Sequence, residues 1–260
     1  MNTFQPLEKF AFSQLHGSTL LLPSVSIGNV PQLTLDLLIS TLGLQKVGFL
    51  DDACVHQIAG SNAFGQSTGI TVSLEVFQTK DQQWTLVQQR APAFKKKWHQ
   101  FARNLVEFIK AAQFKQVILL SGFDSFGRTE VQLQGPPLRY LATPTFPEEI
   151  VQRLTQLGIG EFERTHVNRH GEVIHDDEKT PYIPGGGMTK YFLSECQANE
   201  IPLMVVLVFS TEGDNIPDGI LLANLLNSLF QLLPPEGAQW TPPVSWEHLY
   251  GTQTQQILYD

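Results

Sequence analysis

Only two cysteines, Cys54 and Cys196, occur in 260 residues. They lie far apart and neither belongs to a Cys-X-X-Cys pair, which argues against a disulfide framework and against a structural zinc site. Positive charge is also scarce: 17 Lys and Arg face 25 Asp and Glu, for a net charge of -8. A surface of that sign repels a phosphate backbone, so nucleic acid is not an expected partner. No apolar run approaches the roughly 20 residues that a membrane-spanning helix needs; the longest is residues 203–209. The first ten residues lack a basic stretch followed by an apolar one, so no secretory signal is expected. These absences together point to the cytoplasm or nucleus, with no membrane partner.

Hydrophobic residues make up 42% of the chain, enough to build the core of one large domain. Residues 18–22 and 46–50 read as strands flanking a helix over 30–42, which Asn29 caps and Gly43 closes. Thr71, Ser73 and Glu75 alternate with Val72, Leu74 and Val76, the period of a half-buried strand. Residues 84–89 pair with it as a hairpin. A helix is expected over 92–112, with Phe94, Trp98, Phe101, Leu105, Phe108 and Ile109 on one stripe. Residues 116–121 and 203–209 read as strands, and 117–120 and 203–209 are apolar on both faces, as in strands covered by helices on each side. Helices are also expected over 147–157, 188–198 and 216–233, and a strand over 139–142. The opening to Gly17 reads as irregular and residues 164–179 as a polar loop. The alternation predicts a single three-layer αβα domain over residues 1–250 with a mostly parallel central sheet, followed by a flexible tail over 251–260.

Open α/β sheets bind ligands beyond the carboxyl ends of their strands. Three loops fall there: Gly28-Asn29, residues 121–124, and Glu212-Gly213-Asp214-Asn215. A fourth turn, Gly185-Gly186-Gly187, opens a helix. Glycines at a helix N-terminus can cradle phosphate, but this run has neither a Walker lysine-serine pair nor the spaced glycines of a dinucleotide fold, and a plain tight turn is the competing reading. Glu212 and Asp214 suit magnesium or acid–base work, and equally the capping of the helix that follows them. His166, His170 and His175, with Asp176-Asp177, have metal-ligand residue types but no helix to fix their spacing, and read as a solvated loop. Cys196 falls late in a helix and Cys54 lacks a nucleophile elbow, so both read as inert. Lys95-Lys96-Lys97, between Phe94 and Trp98, form a basic patch on an acidic chain, either a solvated helix face or a contact for an acidic partner. Two functions stay open at this point. One is a protein-binding role; the other is an enzyme or binder of nucleosides or phosphate ligands using the Gly28, Gly185 and Glu212 loops. No cofactor or metal is expected.

The ordered motifs resemble one family. Residues 20–33 (Leu-Leu-Leu-Pro-Ser-Val-Ser-Ile-Gly-Asn-Val-Pro-Gln-Leu) and 35–42 are similar to the opening of the proteasome assembly chaperone 2 family. So are 183–190, with the triple glycine, 212–218 (Glu-Gly-Asp-Asn-Ile-Pro-Asp), 243–246 and 249–251. The likeness runs in order from about residue 18 to 251. It implies a fold similar to nucleoside-phosphorylase-like domains without an evident active site. It also implies a non-enzymatic chaperone that pairs with the related proteasome assembly chaperone 1, binds proteasome α subunits and promotes α-ring assembly. Gly28, Asn29, Gly185, Gly186, Gly187, Glu212, Asp214 and Asn215 then become scaffold turns or dimer contacts.

The chain closes on Leu258-Tyr259-Asp260, which matches the hydrophobic-tyrosine-any motif that some members of that family carry. In such a motif the ring fills an apolar slot on the proteasome's outer face and the terminal carboxylate pairs with a lysine. Ten extended residues from Gly251 reach roughly 33 Å, enough to leave one domain and enter a neighbour.

Overall fold

The computed structural model describes residues 3–65, 69–163, 165–167, 173–175, 181–233 and 239–248. Strands run over Thr3–Pro6 (β1), Thr19–Pro23 (β2), Gln45–Asp51 (β3), Ala59–Ser61 (β4), Ile70–Val72 (β5), Leu74–Gln78 (β6) and Trp84–Gln89 (β7). They continue with Gln116–Asp124 (β8), Leu138–Ala142 (β9), Gly160–Glu161 (β10), Thr165–Val167 (β11), Val173–His175 (β12) and Leu203–Ser210 (β13). The helices are Val30–Leu42 (α1), Trp98–Ala112 (α2), Glu148–Gln156 (α3), Thr189–Ala198 (α4) and Ile216–Phe230 (α5). Among these residues, nine strands form one sheet in the order β1-β3-β6-β7-β2-β8-β13-β9-β10.

Its centre is parallel. β7, β2, β8 and β13 run the same way, with Leu20 opposite Val117 and Val205 opposite Leu119. The antiparallel part is larger than the expected hairpin, because β3 and β1 extend it on one flank and β9 turns against β13 on the other.

The two-faced strands sort their side chains by parity, as a pleated strand must. Val117 and Leu119 of β8, with Leu203, Val205 and Leu207 of β13, face Phe101, Leu105 and Phe108 of α2 and Phe192 of α4. Ile118, Leu120, Met204, Val206 and Val208 face Leu35, Leu38, Leu222 and Leu226 of α1 and α5, and Ile150 and Leu154 of α3. The result is helix, sheet, helix. α1 is buried almost all round, from Val30 to Ile39. A helix apolar on every side has no solvent face to keep polar. Gly219 explains how α5 covers it, since a Cβ there would lie 3.2 Å from the Leu33 Cβ. Thr34 Oγ1 donates across the contact to the Gly219 carbonyl at 3.2 Å.

Four expectations shift. The helix expected from Pro92 begins at Trp98 because the preceding residues are used by another segment. Ala93 bridges Val55, and the Phe94 N–H donates to the Cys54 carbonyl at 2.9 Å. The strand expected to be half-buried breaks at Ser73, and all of β6 is buried. Its Glu75 is fully enclosed, with Lys46 Nζ 2.5 Å away and Arg90 Nε at 4.0 Å. Arg90 also grips Asp36 of α1, Nη1 to Oδ2 at 2.6 Å and Nη2 to Oδ1 at 2.6 Å. The opening segment, expected to be irregular, contributes β1 at the sheet edge. Within the expected polar loop, β11 and β12 pair with His166 opposite Ile174 and Thr165 opposite His175; His170, Asp176 and Asp177 lie outside the described residues.

The last described segment crosses the α1/α5 face. Thr241 N–H donates to Thr41 Oγ1 at 2.9 Å, Trp240 Nε1 to Asn224 Oδ1 at 2.7 Å, and Ser245 N–H to the Ala63 carbonyl at 3.2 Å. Leu258, Tyr259 and Asp260 lie outside the described residues. Among the described residues, no helix is long and apolar enough to cross a membrane.

Candidate functional site

All four glycine and acidic loops singled out in the sequence meet at the carboxyl edge of the parallel strands. β2 delivers residues 24–29, β8 ends at Asp124, β13 ends at Ser210 ahead of Glu212, and the 183–187 turn closes over them. The turn is stitched down by main-chain bonds. Ile27 N–H donates to the Gly185 carbonyl at 2.8 Å and Asp124 N–H to the Pro184 carbonyl at 2.9 Å. The Gly186 carbonyl accepts from Ser24 Oγ at 2.8 Å, and Thr189 Oγ1 lies 2.7 Å from it and 2.7 Å from Ser121 Oγ.

Glycine is required here because a side chain would collide with backbone at one position and with a buried side chain at the other. At Gly187, with φ of +60°, a Cβ would fall 2.2 Å from the Val25 carbonyl oxygen. At Gly28, with φ of +68°, it would fall 2.7 Å from Asn215 Nδ2. Asn29 follows in the left-handed region, and Val30 opens α1. Buried Asn215 donates to the Gly213 carbonyl at 2.9 Å, and Asp214 Oδ1 accepts the N–H of Ile216, the first residue of α5, at 3.1 Å. The gaps beneath Gly28 and Gly187 are therefore filled by the loops' own carbonyls and side chains, while Ser26, Ile27, Gly185, Gly187 and Glu212 turn their outer sides to an open depression. The main-chain donors of Ile27, Gly122, Asp124 and Gly186 are spent on neighbours.

The titratable groups fit a scaffold better than a reaction centre. Burial pushes the Cys196 thiol far up, and Glu195 adds to the effect. Burial also raises the Cys54 thiol, helped by a hydrogen bond and the charge of Asp52. Neither is a ready thiolate. Burial raises the Asp218 carboxyl, with Asp214 contributing. The buried Glu75 carboxyl is raised by desolvation, which outweighs the opposing pull of Lys46 and Arg90. That group sits in the α1 layer, away from the loops.

What the edge offers outward is apolar. A shallow, open depression of about 550 Å³ is lined by Ile27, Trp98, Tyr182, Pro184, Lys190 and Glu212, among others. Beside it the 125–133 segment exposes Phe126 (89%), Val131 (62%) and Leu133 (61%), and Gly127 packs against Pro184. Single exposed apolar residues are ordinary, but neighbouring ones mark a contact surface. Sequence reasoning passed over Phe126, Val131, Leu133 and Tyr182. The available signal was large apolar residues in a Gly/Pro/Gln-rich stretch with no strand or helix period to bury them.

A three-layer α/β protein with its carboxyl edge sealed by its own loops and apolar on the outside is the class that this geometry defines. The chain belongs to the PAC2 family, whose sequence profile matches residues 20–234. It is 39% identical over 256 residues to proteasome assembly chaperone 2 of Danio rerio, covering 96% of this chain and 97% of that one. It is 35% identical over 256 residues to the protein of that name from Homo sapiens, covering 94% and 96%. Among solved structures, the fold is similar to Pyrococcus furiosus PbaA, described as an archaeal homolog of proteasome-assembly chaperone. The TM-score is 0.62 at 13% identity, over 90% of this chain and 88% of that one. At that identity the likeness establishes the fold alone.

Proposed function

We propose that this chain is a proteasome assembly chaperone working without catalysis. It pairs with the related chaperone 1, binds proteasome α subunits and promotes α-ring and core-particle assembly. Its C-terminal Leu258-Tyr259-Asp260 docks in a pocket between subunits. The observation that carries the reading is the end-to-end similarity to the chaperone of Danio rerio, which leaves almost none of either chain unmatched. The packed glycine loops support a scaffold over a ligand cradle, and exposed Phe126, Val131 and Leu133 support a protein partner.

The tail works as an auxiliary grip. Burying one tyrosine and one leucine contributes about 3–5 kcal/mol before ordering costs. That corresponds at best to about millimolar affinity. Tethering to a folded body that makes its own contacts, and to a second tail on a sister subunit, raises the effective affinity without a new contact.

The test is recovery of α-ring precursors on the tagged chain, with and without residues 258–260. Removal of the three residues lowers recovery by about tenfold or more while melting temperature and pairing with the sister chaperone stay unchanged. Equal recovery sinks the tail. Absence of proteasome subunits on the full chain sinks the whole reading.

A further inference from the structure

We propose that the depression beside the sheet's carboxyl edge docks an extended acidic segment of a partner protein, one that also carries a bulky apolar side chain. The proposal stands on its own surface and holds whichever assembly the chain serves. Cations are few on this acidic molecule, with 17 Lys and Arg in all, yet one lines the depression and three directly precede a tryptophan that lines it. Lys95, Lys96 and Lys97 are exposed immediately before Trp98, and Lys190 lines the depression with that tryptophan. Among the described residues the ion pairs engage Lys46, Arg90, Arg103 and Arg139 and none of these four.

The placement also works against the fold that carries it. The three lysines sit at the positive end of α2, whose first turn contains no acidic residue to offset them. A charge set that its own helix repels is explained by an anionic partner. The lysine rim and acidic segment are complementary, and such complementarity raises encounter rates and fixes register.

The floor selects the rest of the occupant. Trp98 is held in place by its Nε1–H, which donates to the Ala93 carbonyl at 3.1 Å, and its ring packs against Tyr191 with centroids 5.7 Å apart. Lys190 Nζ lies 4.9 Å from the centre of the same tyrosine ring. Tyr182 is 52% exposed, and Ile27 and Pro184 complete an apolar lining. A compact phosphate would want converging main-chain donors, and those of Ile27, Gly122, Asp124 and Gly186 are spent on neighbours. Lysines are separate point charges on flexible stems, suited to carboxylates distributed along a chain. Glu212 on the same rim repels acid at its end, which gives the bound segment a direction.

The experiment uses the full chain and a fluorescein-labelled octapeptide, Glu-Phe-Glu-Glu-Leu-Asp-Glu-Phe, read by fluorescence anisotropy. A control peptide has lysine in place of each acid. The acidic peptide binds and weakens by about tenfold or more between 50 and 300 mM salt, as screened charge contacts do; the basic one does not bind. Joint reversal of Lys95, Lys96, Lys97 and Lys190 to Glu, or their neutralisation to Gln if reversal impairs folding, reduces affinity by about tenfold or more. Tyr182→Ser reduces it several-fold, and Lys110→Glu, farther along α2, leaves it unchanged. Undiminished binding by the four-lysine variant, or equal binding of the two peptides, overturns the proposal. Binding that emerges only after Asp176, Asp177 and Glu178 are neutralised overturns it too, since the lysines would then answer to the chain's own acidic run.

Discussion

A Cβ at position 187 would fall 2.2 Å from the Val25 carbonyl oxygen and 2.9 Å from Ser24 Oγ, at a backbone φ of +60°. Gly17 shares the positive φ, at +75°, but has nothing within 4 Å. The pair separates conformational strain from collision. Gly17→Ala should cost about 1–2 kcal/mol, the left-handed penalty alone. Gly187→Ala must also displace backbone that Ser24 Oγ and Ile27 N–H hold in place, and should cost at least about 2 kcal/mol more. Urea denaturation of both variants checks this, and equal losses would mean that the turn yields freely. At this scale the sequence shows that the three glycines form a tight turn. It does not show which carbonyl each one faces, because Val25 and Gly187 meet only through the sheet.

Among the elements, α1 and α5 meet tightly at Gly219, where a Cβ would stand 3.2 Å from the Leu33 Cβ and 3.6 Å from Thr34 N. Gly219→Ala gains helix propensity of about 1 kcal/mol and should come out near neutral. Gly219→Val forces the helices apart, and overpacking of that kind costs about 1–3 kcal/mol. Thermal melts of the two variants test the contact, and a valine variant as stable as wild type removes it from the account. The buried strands were readable because 117–120 and 203–209 are apolar at every position, and only a sheet covered on both faces needs that. The buried polar face of β6 was not readable. Alternation of Thr71, Ser73 and Glu75 looks the same whether water or an ion-pair network satisfies the carboxylate, and Asp36 and Arg90, which complete the network, are distant in sequence. The start of α2 was misplaced for a related reason, since the Val55–Ala93 bridge is a tertiary contact with no local signature.

For the whole molecule, residues 240–245 are pinned across α1 and α5 through Thr41, Asn224 and Ala63. If the terminal segment acts as a tether, its length matters weakly. Inserting ten Gly/Ser residues after Gly251 roughly doubles the span, and effective concentration falls by about three- to fourfold. Deleting the last three residues removes the grip altogether. Recovery of α-ring precursors on the lengthened chain should therefore lie much nearer wild type than the truncation; a loss as deep as deletion would reveal a rigid arm. The family resemblance supplied the proposed role of the tail, whereas the exposure of Phe126, Val131 and Leu133 is a tertiary property with no local signature. The pinned 240–245 segment lies on the α1/α5 layer, and the depression with Trp98 and Lys190 lies between the first turns of α2 and α4 across the sheet. With both proposed grips in place, such a molecule would be a splint, able to hold one body on each side at once.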